Sequence, residues 1–227
     1  MNKLSHDLLY SLALELDLPD LINFCKTNEK INKYVCENDK IWISKLIREF
    51  PEYNKINLNL SKKNLYVLLW KLSNIKRKLN LKQDVYTIYL SKKLRLSHEK
   101  IKKIPEDIKI LNNLEELSIY SSEVEELPNE FPKSLKELNL AGNKIKKIPN
   151  TLPSSLIALD VSRNRLEELP DILPSSLEDI FVDNNKLTSL PDSLPEYLKH
   201  LDISHNLIPL EEIERIKKKY PRLKFVN

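Results

Sequence analysis

A unit of 21 residues recurs along the chain and constrains the fold more than any other feature of the sequence. KIKKIP occupies residues 100–105 and again 144–149, while EVEELP occupies 123–128 and RLEELP occupies 165–170. When the prolines of these phrases are aligned, a leucine opens each unit 21 residues after the previous one: Leu114, Leu135, Leu156, Leu177 and Leu198. A weaker copy at 94–105 precedes them, so one structural element is repeated through the second half of the chain.

Each unit reads LxxLxLxxNxLxxLP, which is the leucine-rich-repeat pattern and falls within its unit lengths of about 20–29 residues. The LxL core alternates, which predicts a short strand with Leu138 and Leu140 inward and their neighbours outward. Such strands stack in parallel, and each leucine layer is buried only against adjacent units. The sequence therefore predicts an α/β solenoid with a parallel concave sheet.

Two other repeated residue types predict structure rather than binding. An asparagine follows each later strand, and its amide can bond backbone groups where the chain turns away: Asn143, Asn164, Asn185 and Asn206. Paired prolines occupy the second half of each unit and predict an extended, largely non-helical convex side: Pro128/Pro132, Pro149/Pro153, Pro170/Pro174 and Pro191/Pro195.

The repeated phrases invert their charges from unit to unit. Adjacent coils should therefore set opposite charges about one strand spacing apart, in the order Lys102-Lys103, Glu125-Glu126, Lys146-Lys147 and Glu167-Glu168. Each exposed pair contributes only about 0.2–1 kcal/mol, but a slip of one unit would oppose like charges. We interpret the alternation as a control of repeat register.

The composition is that of an ordinary soluble protein, with 31% charged residues and a net charge of +4. Lys217–Lys219 is interpreted as a solvated helix face, with a nucleic-acid patch as the weaker alternative. The sequence shows no apolar run of about 18 residues and no signal peptide. Cys25 and Cys36 are expected to be buried thiols of a reducing compartment, neither metal ligands nor a disulfide. We expect a cytoplasmic protein that does not bind membranes, with a nuclear location left open.

Several classes of chemistry find no support in the sequence. Gly142 is the only glycine, whereas phosphate-binding loops need several. His200, Asp202 and His205 could share one face as metal ligands, but contact residues are the favoured interpretation. No nucleophile and base are paired. We therefore expect a monomer with no enzymatic activity, no cofactor and no metal.

Residues 1–80 have helical rather than repeat-like spacing. Apolar residues at 8, 9, 12 and 16 share one helix face, and Asp17 offers an N-cap to a second helix. A third helix is predicted after Asn38, ending at Pro51, and a fourth from Ser61 to about Leu79. The residues alone predict a small helical bundle, and one interpretation is that it only covers the first leucine layer.

The stretch LSHDLLYSLALELDLPDLINFCKTNEKINKYVCENDKIWISKL, residues 4–46, resembles an F-box. The similarity lies in the leucine-rich start, the D-x-x-D-L step and the closing W-x-x-x-L; Ser5 replaces the early proline of the family and can cap the first helix instead. With repeats following, the chain resembles F-box/leucine-rich-repeat proteins, especially those of large DNA viruses of amoebae.

The resemblance implies three segments and a first partner. Residues 1–50 would form the F-box-like module, 51–90 a linker helix and N-terminal cap, and 91–227 the repeats with a C-terminal helical cap. The module would dock on a Skp-type adaptor of a cullin-RING ubiquitin ligase, in the host cytoplasm for a viral protein. The matching adaptor-binding residues are Leu4, Leu8, Leu9, Leu16, Leu21, Ile22 and Trp42.

A second partner is expected on the concave face, which we define as the outward-pointing side chains of the strands. Alternation selects its candidate binding residues: Glu116, Tyr120, Glu137, Asn139, Asp160, Asp179, Phe181, Asp183, His200 and Asp202. The face is basic at its first strand and mostly acidic beyond it, which favours a protein with a basic segment and disfavours nucleic acid.

The sequence therefore predicts a non-catalytic protein that recruits a target to an SCF-type ubiquitin ligase. One alternative is a repeat scaffold or binding protein whose N-terminal helices only cap the solenoid. A second is an enzyme, since the repeats are similar to those of bacterial secreted ubiquitin ligases. Those carry a catalytic cysteine domain after the repeats, and we expect no room for one after Lys219.

Overall fold

The structure, a computed structural model, describes residues 5–55 and 58–227 of the 227-residue chain. The chain divides into two compact units, residues 1–74 and residues 75–227. Each unit is described separately below. Leu4, the first expected adaptor-binding residue, lies outside the described residues.

The first unit is helical. Its elements are α1 (His6–Glu15), α2 (Leu18–Lys26), α3 (Glu29–Ile31), which continues as a π-helical turn (Asn32–Cys36), α4 (Asp39–Glu49), a 3-10 turn (Tyr53–Lys55) and the start of α5 (Lys62–Lys78). The two predicted caps at Ser5 and Asp17 are confirmed, and Asn38 caps α4 as well. Leu8 donates its N–H to Ser5 Oγ (3.3 Å), Asp20 to Asp17 Oδ1 (3.0 Å) and Lys40 to Asn38 Oδ1 (3.0 Å), which satisfies amide donors that the helix starts leave free.

The expectation of two reduced cysteines is wrong. Cys25 and Cys36 form a disulfide, with their Cα atoms 6.0 Å apart. The π-helical turn packs against α2, and this packing brings Cys36 beside a residue that is 11 positions earlier in the chain. The same turn is held from inside the unit, because buried Trp42 donates its indole N–H to the Cys36 carbonyl (2.8 Å).

The second unit contains a single seven-stranded parallel sheet in chain order. Its strands are β1 (Lys93–Ser97), β2 (Glu116–Tyr120), β3 (Glu137–Asn139), β4 (Ala158–Asp160), β5 (Asp179–Phe181), β6 (His200–Asp202) and β7 (Lys224–Val226). The helix α6 (Val85–Leu90) precedes the sheet, a 3-10 helix (Glu106–Ile110) follows β1, and α7 (Leu210–Lys219) precedes β7. The predicted α/β solenoid is thus observed.

The strand register follows the sequence phase of the repeat. Leu94, Leu117, Leu138, Leu159, Ile180, Leu201 and Phe225 are consecutive register partners. The six of these partners on β1 to β6 are buried, as are the leucines that open four of the coils, Leu114, Leu135, Leu156 and Leu177. Because every coil contributes the same layer, the core is a continuous stack of aliphatic side chains.

The predicted asparagine ladder is confirmed. Asn164 accepts the N–H of Ile145 at Oδ1 (3.0 Å) and donates to the carbonyls of Leu140 (2.9 Å) and Val161 (3.0 Å). Asn143, Asn185 and Asn206 repeat the same three bonds one coil earlier or later. Each asparagine therefore ties two coils together at buried or half-buried backbone groups.

The charge alternation is realised in pairs. Lys103 lies 2.8 Å from Glu126, and Lys147 lies 3.1 Å from Glu168. Within the described residues, these two contacts are the ion pairs of that column, so it forms two separate bridges. A neighbouring column adds the three-membered ladder Lys92–Glu115–Lys136, with contacts of 3.0 and 2.8 Å.

The paired prolines have the expected effect on the convex side. Between β2 and β6 the described residues contain no helix, and the chain returns through turns and extended segments. β7 was not expected from the sequence, which predicted only a final helical cap. The helix α7 lengthens the last coil, so Phe225 lies 24 residues after its register partner Leu201 and falls out of the 21-residue phase.

Candidate functional site: the concave face

The register places the concave face as three columns of outward side chains. The first runs Lys93, Glu116, Glu137, Ala158, Asp179 and His200, and the second runs Arg95, Ser118, Asn139, Asp160, Phe181 and Asp202. The third begins with the partners Ser97 and Tyr120 and continues, one residue or more past each later strand, with Ala141, Ser162, Asp183 and Ser204.

The two positive charges at the first strand share one carboxylate. Lys93 Nζ lies 2.8 Å from Glu116, and Arg95 binds the same carboxylate through two nitrogens. The hydrogen bonds from Arg95 and Lys93 lower the pKa of Glu116 to about 2. Glu116, 7% exposed, therefore contributes little free charge to a partner, and this end of the face is closed by its own ion pairs.

Three polar side chains of the second column close the strand ends. The Ala141 N–H donates to Asn139 Oδ1 (3.1 Å), the Ser162 N–H to Asp160 Oδ1 (3.0 Å) and the Ser204 N–H to Asp202 Oδ1 (2.9 Å). The hydroxyls of Ser162 and Ser204 donate to the same oxygens at 2.7 Å. A hydrogen bond from the backbone N–H to the side chain two residues earlier is the usual Asx turn. These residues therefore stabilise the coil as well as adding polar groups to its surface.

Phe181 breaks this pattern. Its register partners are Asp160 and Asp202, yet its ring has no acceptor for the N–H of Asp183. The side chain is 37% exposed and points away from the leucine core, as the alternation predicted. A repeat position that supplies a structural hydrogen bond in three other coils thus carries an exposed aromatic ring.

The remaining candidate residues surround Phe181 or lie towards β2. Asp179 pairs with Nδ1 of His200 on the next strand, and Asp183 accepts a hydrogen bond from the Asn184 amide (2.8 Å). Tyr120 is 40% exposed and meets His98 edge-on, with 6.2 Å between ring centroids. Glu137 is exposed on β3. The face therefore has an acidic half with one aromatic ring and a charge-balanced half with another.

The expected adaptor-binding residues separate into core and surface within the first unit. Leu21 and Trp42 are 0% and 1% exposed, so they support the fold of this surface and do not form it. Leu8 is 46% exposed, and Leu9, Leu16 and Ile22 are half-buried. Sequence reasoning missed Leu12, which is 45% exposed one helical turn after Leu8; its spacing was the available signal.

A buried polar network in the first unit was also missed. Lys45 is fully buried, and its ammonium donates to the carbonyls of Leu14 (3.1 Å) and Leu16 (2.7 Å) and contacts Glu49 (3.0 Å). Burial opposes the ionisation of Glu49, but hydrogen bonds from Tyr66 and Lys45 outweigh it and lower the pKa of the carboxyl. Lys45 thus caps the C-terminus of α1, where backbone carbonyls lack helical partners.

Within residues 5–55 and 58–227, no three histidine, cysteine or acidic side chains are grouped to hold a metal ion. None of the helices in the same ranges is both long and apolar enough to cross a bilayer.

Comparison with known proteins supports the repeat architecture. The model of the Leucine Rich Repeat family matches residues 134–154. A solved structure of a leucine-rich-repeat protein from Leptospira interrogans is similar, with a TM-score of 0.55 and 29% sequence identity. The match covers 60% of this chain and 36% of that one, so the chain spans little more than a third of the length of that protein. No curated protein matches the sequence. The family match, the structural match and the seven-stranded parallel sheet together support a leucine-rich-repeat fold for the second unit.

Proposed function

We propose that this chain is a non-catalytic interaction protein that binds a protein target on its concave face. Leucine-rich-repeat proteins are generally binding scaffolds, and a stacked sheet offers a broad surface for a partner. The observation that carries the proposal is Phe181, an exposed ring that occupies the place of a turn-forming acceptor. Asp160, Asp179, Asp183 and Asp202 surround it in register or along the chain, and such a cluster attracts a basic segment.

We further propose that the N-terminal module recruits this target to an SCF-type cullin-RING ubiquitin ligase. The F-box resemblance of residues 1–50 supports the proposal, as does the exposed apolar pair Leu8 and Leu12 on one face of α1. In this assignment residues 51–90 link and cap, and residues 91–227 hold the target. A Skp-type adaptor would cover the α1 surface in the cytoplasm.

Direct binding to a recombinant Skp-type adaptor tests the recruitment proposal. Calorimetry with the purified full chain should detect a complex, and Leu8→Glu should weaken it by about tenfold or more. Ile47→Glu is the matched control, because Ile47 is 59% exposed on α4 and is not an expected contact. If the wild-type chain is folded but does not bind the adaptor, the recruitment proposal is wrong and only the proposal of an interaction scaffold remains.

The disulfide favours a second candidate function. Disulfides persist mainly in oxidising compartments, whereas adaptors of this kind act in the reducing cytosol. The Cys25–Cys36 bond therefore supports a binding protein of an oxidising compartment, whose N-terminal helices only cap the repeats. Thiol labelling of the protein taken from its native source separates the two: free thiols favour recruitment, and blocked thiols favour the capped binding protein.

A further inference from the structure

Two exposed aromatic side chains stand on the concave face, three strands apart. Tyr120 on β2 is 40% exposed and Phe181 on β5 is 37% exposed. In the other coils from β1 to β6 their positions carry small or polar residues, such as Ala141 and Ser162 in the column of Tyr120. Phe181 in addition forgoes the turn hydrogen bond that Asp160 and Asp202 accept. At both positions, therefore, an exposed aromatic ring that can contact a partner replaces the small or polar residue of the repeat.

The register sets the distance between these rings. Three strand steps of about 4.8 Å and two residues of about 3.3 Å along the strand separate the two Cα atoms by roughly 16 Å. An extended peptide advances about 3.3 Å per residue, so two of its side chains reach both rings when they are about four or five residues apart.

The charges of the concave face determine which end of a bound ligand carries cationic side chains. Around Phe181 the carboxylates of Asp160 and Asp202 lie on the flanking strands. The cationic residues of the face are on β1 and at Lys224 of β7, the register partner of His200. On β1, Lys93 and Arg95 are bound to Glu116. On β4 to β6 the charged or titratable groups around Phe181 are thus carboxylates and His200, which pairs with Asp179, and Lys224 lies one strand farther from Phe181 than His200 does. Cationic side chains of a ligand are stabilised at the Phe181 end and gain little near Tyr120.

We propose that the concave face binds an extended peptide segment with two bulky apolar residues about four or five positions apart. Lys or Arg residues adjoin the apolar residue that contacts Phe181. This inference rests on the proposed function, in which the repeats hold a protein target on this face, and it specifies what that target presents.

Synthetic peptides test the spacing directly. Two tryptophans are separated by roughly one to six serines, with a Lys-Lys pair next to one tryptophan and a fluorophore at the far end; both chain directions are made. Fluorescence anisotropy with the full-length protein should give the lowest Kd at about three or four intervening serines. Tyr120→Ala and Phe181→Ala should each raise that Kd about tenfold and make it independent of spacing. Tyr197→Ala is the control, because Tyr197 is 66% exposed but lies in the turn before β6.

The outcomes distinguish this inference from the broader proposal. Equal affinity at every spacing, or an unchanged Kd in the Tyr120→Ala variant, overturns the two-anchor segment but leaves Phe181-dependent binding. Absence of peptide binding in the wild-type protein overturns the inference as well. The broader proposal then stands or falls on whether a purified native target loses affinity in Phe181→Ala. Thermal unfolding of each variant shows that a loss of binding is not a loss of fold.

Discussion

At the scale of single residues, one position in each coil adopts a backbone conformation that favours glycine. The residue just before the ladder position has a positive φ in six successive coils: His98, Ser121, Gly142, Arg163, Asn184 and His205, with φ between 48° and 67°. Only Gly142 adopts it without a steric penalty. In the last four of these coils a ladder asparagine follows and fixes the turn with three hydrogen bonds. Arg163, Asn184 and His205 are therefore held in this conformation by their neighbours.

Arg163→Gly should therefore stabilise the repeats. Arg163 has φ 53° and an exposed side chain, and relief of its left-handed conformation should outweigh the added chain entropy by about 0.5–1 kcal/mol. Urea unfolding followed by circular dichroism measures the change. Arg165→Gly is the matched control, since Arg165 is exposed but has no positive φ, and it should lose a few tenths to about 1 kcal/mol. Destabilisation by both variants would contradict the argument.

At the scale of elements, the helical unit is joined by buried polar contacts as much as by apolar packing. Lys45 lies on the same face of α4 as Ile41, Trp42 and Leu46, all of them buried. Its position in the apolar stripe, four residues before Glu49, was a signal of burial that the charge of the side chain obscured. The ammonium binds the end of α1 and the carboxylate of Glu49, and so connects two helices.

Replacing Lys45 should lower the free energy of unfolding of this helical unit. Lys45→Met keeps the apolar stem but leaves the carbonyls of Leu14 and Leu16 and the Glu49 carboxylate without their donor, at a cost of about 2–4 kcal/mol. Lys40→Met, at an exposed position of the same helix, should change stability by less than about 0.5 kcal/mol. Hydrogen exchange of α1 and α4 amides resolves the two effects, and equal protection in both variants would refute the role of Lys45.

At the scale of the whole molecule, the sequence predicted the repeated part far better than the single-copy part. The period revealed the strand register, the inward leucines and the asparagine ladder, because each unit repeats the same evidence. The Cys25–Cys36 disulfide and the helix α6 occur once, so no repeated pattern in the sequence predicts them. The alternation of the strand predicted that Phe181 is exposed. The lack of a turn hydrogen bond at Phe181 became apparent only from the structure, in which Asn139, Asp160 and Asp202 accept that bond.

The ion pairs between coils should make the stability of the repeat unit depend on acid pH. Hydrogen bonds from Lys136 and Lys92 lower the pKa of Glu115 to about 2, and Arg95 and Lys93 do the same for Glu116. Groups with a depressed pKa stabilise the fold above their unfolded value of 4.5, and that stabilisation is lost as the pH falls towards 2. The urea concentration at the unfolding midpoint should therefore decrease as the pH is lowered from 4.5 to 2. The decrease should be less steep in a Glu115→Gln, Glu116→Gln double variant. An identical slope in both proteins would contradict the assignment.

The central claim is that Phe181 is present for binding and contributes little to the core. The unfolding free energies of Phe181→Asn and Phe181→Ala test it most directly, because asparagine restores the acceptor that Asn139 provides two coils earlier. We predict that Phe181→Asn remains within about 1 kcal/mol of the wild type and exceeds Phe181→Ala by about 0.5–1.5 kcal/mol. A loss of about 3–5 kcal/mol in both variants, as for a buried phenylalanine, would show that the ring belongs to the core and would contradict the proposed site.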